Sequence, residues 1–116
     1  MSVVENLYAS NVPEKYVGGS PAFSLSEFKN ISLGVKYHHE RYDGTGYPEA
    51  LKGDDIPLIA KIISVADSYD AMISDRPYRK GLLKDIAVKE IKDNKNKQFC
   101  PIVVQAFLDA VANKEL

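Results

Sequence analysis

The spacing of hydrophobic positions predicts a helix that starts at Ser24. The Ser24-x-x-Glu27 pattern fits a capping box, in which each side chain accepts a hydrogen bond from a free backbone N–H at the helix start. Apolar residues then recur at spacings of three and four, which is typical of one helix face: Leu25, Phe28, Ile31 or Ser32, and Val35. We expect this face to point into the core. Its register, continued from Val35, reaches His38 and His39.

Residues 58–72 predict a second, central helix. Pro57 suits the first turn, where its missing N–H is not needed. The sequence that follows is apolar nearly all round, as in helices that are buried on most sides. Two acids, Asp67 and Asp70, interrupt it. Because a buried carboxylate is costly unless it is paired or binds a metal, these two acids are the most informative in the chain.

Two further helices are predicted in the C-terminal half. One covers about residues 85–92, and the last begins near Pro101. The last helix has apolar residues at spacings of three and four: Val103, Val104, Phe107, Leu108 and Val111. No segment shows the alternation of a β-strand, so the predicted class is all-α with about four or five helices.

The first 21 residues differ in pattern from the rest of the chain. A short helix is predicted within residues 1–17, with Pro13 as its end. The Gly- and Pro-containing residues 18–21 predict a turn or hinge. We therefore divide the chain into an N-terminal segment, residues 1–21, and a helical domain, residues 22–116.

Composition limits the classes of function. With 116 residues, 45% hydrophobic and 27% charged, the chain fits one small globular domain or part of a larger one. A net charge of −1 gives no overall basic footprint for nucleic acid and leaves only a local basic cluster open, so DNA is not an expected partner. No run approaches the roughly 18 apolar residues that a membrane span needs, and the N-terminus lacks a signal-peptide layout. We expect a cytoplasmic protein. The single cysteine, Cys100, excludes an intrachain disulfide.

The two histidines of the chain are adjacent, and they form a candidate metal cluster with Asp67. Imidazole and carboxylate groups are common ligands of iron, manganese and zinc. The alternative is that His38 and His39 simply end a helix, where cationic groups suit the helix dipole. Asp67 and Asp70 have an alternative too, namely ion pairs with Lys61, Arg76 or Arg79.

Two loops carry further candidates. Arg76 and Arg79 follow the acidic helix, and guanidinium groups bind phosphate through paired hydrogen bonds. The alternative is a solvated loop. The loop Asp43-Gly44-Thr45-Gly46-Tyr47-Pro48 lacks the G-x-G-x-x-G spacing of a dinucleotide loop. Its residues favour a structural role in which Tyr47 anchors the loop, with docking of a partner as the alternative.

Taken together, these segments resemble the signature of HD-GYP domains, a branch of the HD hydrolase superfamily. The similarity begins with the residues from His38 to Pro48 and continues in the family's order. The matching segments are Leu51-Lys52-Gly53, Ile56-Pro57, Val65 to Met72, Ser74 to Arg79, and Gln98-Phe99-x-Pro101. The resemblance covers roughly residues 31–110 and implies the C-terminal part of an HD-superfamily helical bundle.

The family consists of metal-dependent phosphodiesterases that hydrolyse cyclic di-GMP, a bacterial second messenger. The resemblance implies that His38, His39 and Asp67 bind a divalent metal, iron or manganese. It also implies that Asp70 is catalytic and that Arg76 and Arg79 bind substrate phosphate. The motif loop of the family is thought to contact diguanylate cyclase (GGDEF) domains; here it comprises Asp43, Gly44, Gly46, Tyr47 and Pro48.

The chain departs from the family pattern upstream of this signature. The namesake His-Asp pair and further metal-binding histidines of the family belong there, but residues 1–37 contain neither His nor Asp. We therefore expect part of a phosphodiesterase that is inactive alone. The alternatives are a non-catalytic binding or regulatory module and a remnant without function. Apolar faces left uncovered by missing helices predict a homo-oligomer.

Overall fold

The computed structural model describes residues 24–115, and in this part the fold is all-α. The four α-helices are α1 (Leu25–Tyr37), α2 (Leu58–Ile73), α3 (Lys84–Asp93) and α4 (Pro101–Ala112), with a 3-10 turn at Gly53–Asp55. Across these residues the only β-type pairing is two isolated bridges, and no helix is long and apolar enough to cross a membrane. The predicted class is confirmed. The helix predicted within residues 1–17 lies outside the described residues.

The hydrophobic core lies between α2, α3 and α4. Ile91 of α3 and Val104 of α4 are fully buried. The ring of Tyr69 on α2 meets the ring of Phe107 edge-on at 5.0 Å between centroids, a favourable arrangement for two aromatic rings. The apolar spacing that predicts the last helix also gives its buried face correctly, since α4 buries Val103, Val104 and Phe107.

Helix α1 begins as predicted but buries a different face. The side chain of Ser24 accepts from the Glu27 N–H and the Glu27 carboxylate accepts from the Ser24 N–H, so the capping box is present. The predicted inward face is wrong, because Leu25, Phe28 and Val35 are exposed. The buried side passes through Gly34, roughly 100° around the axis from Val35.

Glycine explains which side of α1 is buried. A Cβ at Gly34 would lie 2.5 Å from Cδ1 of Ile63 and 3.1 Å from Cγ1 of Ile59, both on α2. The missing side chain therefore lets α2 approach the backbone of α1 closely. This approach also carries the end of α1, with His38, over the middle of α2.

The long connection between α1 and α2 docks on the turn that precedes α4. The N–H groups of Tyr42 and Asp43 donate to the carbonyls of Gln98 (3.1 Å) and Lys97 (2.8 Å). The same turn contains Asn96 with φ +68°, a left-handed conformation that asparagine tolerates. Two sequence-distant segments thus form one end of the molecule, next to the histidines.

Candidate functional site

His38 faces Asp67 across the contact between α1 and α2. Its Nδ1 lies 2.7 Å from the carbonyl oxygen of Val35. A carbonyl oxygen can only accept, so Nδ1 donates this hydrogen bond, and in the neutral imidazole Nε2 is then the nitrogen with the lone pair. That Nε2 lies 3.9 Å from Oδ2 of Asp67. An imidazole lone pair and a carboxylate therefore face the same space. A backbone carbonyl that fixes the other ring nitrogen is typical of metal-binding histidines.

His38 also ends α1, as the alternative interpretation of the histidine pair proposed. It is the C-cap residue of this helix. The hydrogen bond to Val35 uses its Nδ1, whereas Nε2 points away toward α2. The two interpretations are compatible, because one nitrogen stabilises the helix end while the other remains available.

His39 takes a different position from its neighbour. Its ring centroid is 4.0 Å from that of His38, with the planes tilted by 39°. On its other side it stacks on Tyr47, at 4.9 Å and 18° between planes. Tyr47 is 61% exposed, so its side chain does not reach into the core, and its role as the anchor of the loop stays a prediction. Its ring instead lies against His39 at the surface.

A cavity of about 290 Å³ lies beside these side chains. Its walls include four predicted site residues: His38, His39, Asp67 and Tyr47. They also include polar residues that were not predicted from the sequence: Glu40, Arg41, Ser64, Ser68 and Gln98. Ser64 and Ser68 lie about one helical turn apart on the α2 face that carries Asp67, a spacing that could have indicated them. Asp70, Arg76 and Arg79 are not among the lining residues of this cavity.

The two acids of α2 are less buried than the apolar sequence around them predicts. The side chain of Asp67 is 56% exposed, and Asp70 is half-buried. The expectation of buried carboxylates is wrong for Asp67, because its face of α2 opens onto the cavity. The alternative of ion pairs is not found either. Lys61 pairs with Asp54 at 3.4 Å, and within residues 24–115 neither Asp67 nor Asp70 pairs with a lysine or arginine.

Arg79 stabilises the end of α2. Its Nη2 donates to the carbonyl of Ala71 at 2.7 Å and its Nη1 donates to that of Lys80 at 3.3 Å. Basic side chains commonly bind the last carbonyls of a helix in this way. Arg76 is exposed and pairs with Arg79 only through backbone hydrogen bonds. Phosphate binding by these two arginines stays a prediction.

The motif loop is shaped by Asp43 and two glycines. Asp43 accepts hydrogen bonds from the guanidinium of Arg41 and from both the hydroxyl and the N–H of Thr45. The pKa of Asp43 is lowered to about 2, chiefly by the hydrogen bond from the Thr45 hydroxyl and next by that from Arg41. Gly44 has φ +86°, and a Cβ at Gly46 would lie 2.5 Å from the carbonyl oxygen of His39. These residues therefore shape the loop, and the Tyr47–Pro48 bond within it is cis.

The side chains fit a metal only in part. Histidine nitrogen and carboxylate oxygen are the donors that iron and manganese take in proteins, and His38 and Asp67 supply one of each. Over residues 24–115, however, no group of three or more His, Cys, Asp or Glu side chains could hold a metal ion. Metal sites generally need four or more ligands. The described residues thus supply part of a ligand set and do not complete it.

Comparisons with known proteins place these features in a family. The family model described as HD domain matches residues 14–103. That match begins inside the N-terminal segment, and the division of the chain at residue 21 stays a prediction. A cyclic di-GMP phosphodiesterase of Thermotoga maritima is 49% identical over 93 residues, covering 78% of this chain and 25% of the relative. A cyclic di-GMP phosphodiesterase of Vibrio cholerae is 40% identical over 97 residues, covering 84% of this chain and 19% of the relative.

A solved structure gives the same result for the fold. The crystal structure of a cyclic GMP-AMP-specific phosphodiesterase of Vibrio cholerae superposes with a TM-score of 0.63 at 26% identity, covering 78% of this chain and 20% of that one. The chain thus spans a quarter or less of the length of these relatives. With the signature at residues 38–48 and the helices that position it, the chain belongs to the HD domain family, in its HD-GYP branch.

Proposed function

We propose that this chain is the C-terminal part of a metal-dependent cyclic di-GMP phosphodiesterase and supplies part of its site. The observation that carries the proposal is the pairing of the free Nε2 of His38 with the carboxylate of Asp67, 3.9 Å apart. The names of the relatives in Thermotoga maritima and Vibrio cholerae support cyclic di-GMP as the substrate.

His38 and Asp67 would hold a divalent metal, iron or manganese by family resemblance, with His39 as a further ligand. Such a metal, when bound, activates water and neutralises phosphate charge. The contribution of the chain itself is orientation, since the Val35 carbonyl fixes the His38 ring so that Nε2 points to the cavity. Asp70, about one turn along α2 from Asp67, would accept or donate a proton beside the metal.

Substrate phosphate would bind the arginines that follow α2. The guanidinium of Arg76 is exposed, which favours it for this role. Arg79 already donates to the carbonyl of Ala71, so it would have to exchange that bond for a phosphate oxygen. Of the two arginines we therefore assign the larger contribution to Arg76.

The remaining ligands would come from outside residues 24–115 or from another copy of the chain. We accordingly propose that the chain has little hydrolytic activity alone. Exposed apolar residues on α1, such as Leu25 and Phe28, support assembly into a homo-oligomer.

Metal content is the measurement that tests this proposal. The protein is purified without oxygen, supplied with iron and manganese, and analysed by elemental mass spectrometry beside His38→Ala and Asp67→Asn. Asp109→Asn, which changes an exposed carboxylate on α4, is the matched control. We expect weak metal binding that both site variants abolish and the control retains, with no cyclic di-GMP hydrolysis. Metal content that neither site variant changes would contradict the proposal.

A second candidate function is a non-catalytic module that binds a GGDEF domain through the motif loop. The exposure of Tyr47, 61% of its surface, favours it. In that case Tyr47→Ala abolishes binding of a GGDEF domain in a calorimetric titration and leaves metal content unchanged. The His38→Ala variant would show the opposite pattern. Absence of both effects would favour the third alternative, a remnant without function.

A further inference from the structure

Glu40 is buried although it is charged. Only 3% of its surface is exposed, and the other buried polar residue within residues 24–115 is Ser64. Across the same residues Glu40 has no ion pair with a basic side chain. A buried carboxylate without a countercharge is costly unless hydrogen bonds satisfy its oxygens. The position of Glu40 therefore implies that its hydrogen bonds are strong.

The partners of Glu40 are two backbone N–H groups of the segment after the motif loop. Its Oε1 accepts from the N–H of Glu49 at 2.6 Å, and its Oε2 accepts from that of Leu51 at 2.7 Å. Short distances are typical of hydrogen bonds to a charged acceptor. Between these two donors lies Ala50 with φ +54°, a conformation that residues with a Cβ adopt uncommonly. The carboxylate thus holds the backbone on both sides of a strained residue.

The same segment carries the ring that covers His39. Tyr47 donates its N–H to the carbonyl of His39 at 3.3 Å, and Gly46 lies close to the backbone of residues 39–41. One end of the segment 46–51 is therefore fixed by backbone contacts with His39. The other end is fixed by the side chain of the next residue, Glu40.

We propose that Glu40 is a positioning residue of this site. As a carboxylate it fixes the segment 46–51 and thereby sets the stack of Tyr47 on His39 at the mouth of the cavity. What the cavity binds rests on the proposed function, but the positioning role does not. An amide of the same size cannot replace it, because glutamine would point an NH₂ group at one of the two backbone N–H donors.

Nuclear magnetic resonance on the full chain tests this role. In the wild type we expect the amides of Glu49 and Leu51 to exchange at least about tenfold more slowly than exposed amides, as hydrogen bonds to a charged group imply. We also expect cross-relaxation between the rings of His39 and Tyr47. In Glu40→Gln, at least one amide loses its protection and the ring contact weakens severalfold.

The matched control is Ile91→Val, which removes a methylene from the core at α3. It lowers the melting temperature and leaves the groups that hydrogen-bond to Glu40 unchanged. It should keep both protected amides and the ring contact. A Glu40→Gln protein that retains the ring contact at wild-type intensity would overturn the proposal. Should Glu40→Gln fail to fold, wild-type exchange decides: unprotected amides at Glu49 and Leu51 overturn the role, and protected ones support it.

Titration with Mn²⁺ separates this inference from the proposed function. Paramagnetic broadening at His38 tests the metal site, whereas the amides of Glu49 and Leu51 test the positioning role in metal-free protein. Absence of broadening would contradict the proposed function and leave the Glu40 test valid. Broadening together with an unchanged ring contact in Glu40→Gln would contradict only the positioning role.

Discussion

Helices α1 and α4 have the same kind of apolar spacing but bury it differently. The apolar face of α4 lies in the core through Val104 and Phe107. On α1 the corresponding residues, Leu25 and Phe28, are exposed, and Gly34 is buried instead. Helix α4 packs against both α2 and α3, whereas α1 packs chiefly on α2. Spacing thus identifies an apolar face, but a second element must be present to cover it.

The two helices should therefore differ in what stabilises them. Burial of apolar surface contributes about 25 cal/mol per Å², and α4 gains it on two sides. Helix α1 depends more on its capping box and on the close approach of α2 at Gly34. Local stability is expected to be lower in α1, because it buries only Gly34 whereas α4 buries three apolar side chains.

The largest effect is expected in the core. Ile91→Ala should lower the free energy of unfolding by roughly 2–5 kcal/mol, because it leaves a cavity at a fully buried position. Ile102→Ala, the same change at a 77% exposed position on α4, should stay within about 0.5 kcal/mol. Urea unfolding measures both. Similar losses for the two variants would mean that the described core is not what holds the fold.

An intermediate effect is expected at the start of α1. Ser24→Ala removes the acceptor for the Glu27 N–H and should cost about 1 kcal/mol. Amide exchange should show the loss in α1 and not in α4. Ser32→Ala, at an exposed position inside α1, is the control and should not weaken the helix. An equal loss of protection in both helices would show that α1 does not open separately.

The smallest effect is expected on the exposed face of α1. Phe28 is 61% exposed, so Phe28→Ala should change the free energy of unfolding by less than about 0.5 kcal/mol. Phe107→Ala in the core should cost about 3–5 kcal/mol. The melting temperature is measured at several protein concentrations. The small effect is expected at low protein concentration, where the copies are separate. A larger loss for Phe28→Ala at high concentration would mean that another copy covers this face, as the proposed homo-oligomer requires.

The helices, and the place of the two histidines at a helix end, could be predicted because their signals are local. Capping residues, Pro57, and apolar spacing depend on neighbours within one or two turns, and the observed starts of α1, α2 and α4 agree with them. The family resemblance also depends on local signals, since each of its motifs is a short run of residues. The roles of Asp67, Asp70, Arg76 and Arg79 stay predictions, because residues 24–115 supply only part of a metal-binding set.

The sequence by itself determined the all-α class, the approximate starts of four helices within residues 24–115 and the HD domain family. Tertiary structure alone decided which face of α1 is buried, because that depends on a glycine meeting two isoleucines of α2. It also decided that Asp67 is open to a cavity, and that Glu40 is buried and accepts hydrogen bonds from two backbone N–H groups. These contacts join residues far apart in the chain or depend on loop geometry, so spacing along one helix does not predict them.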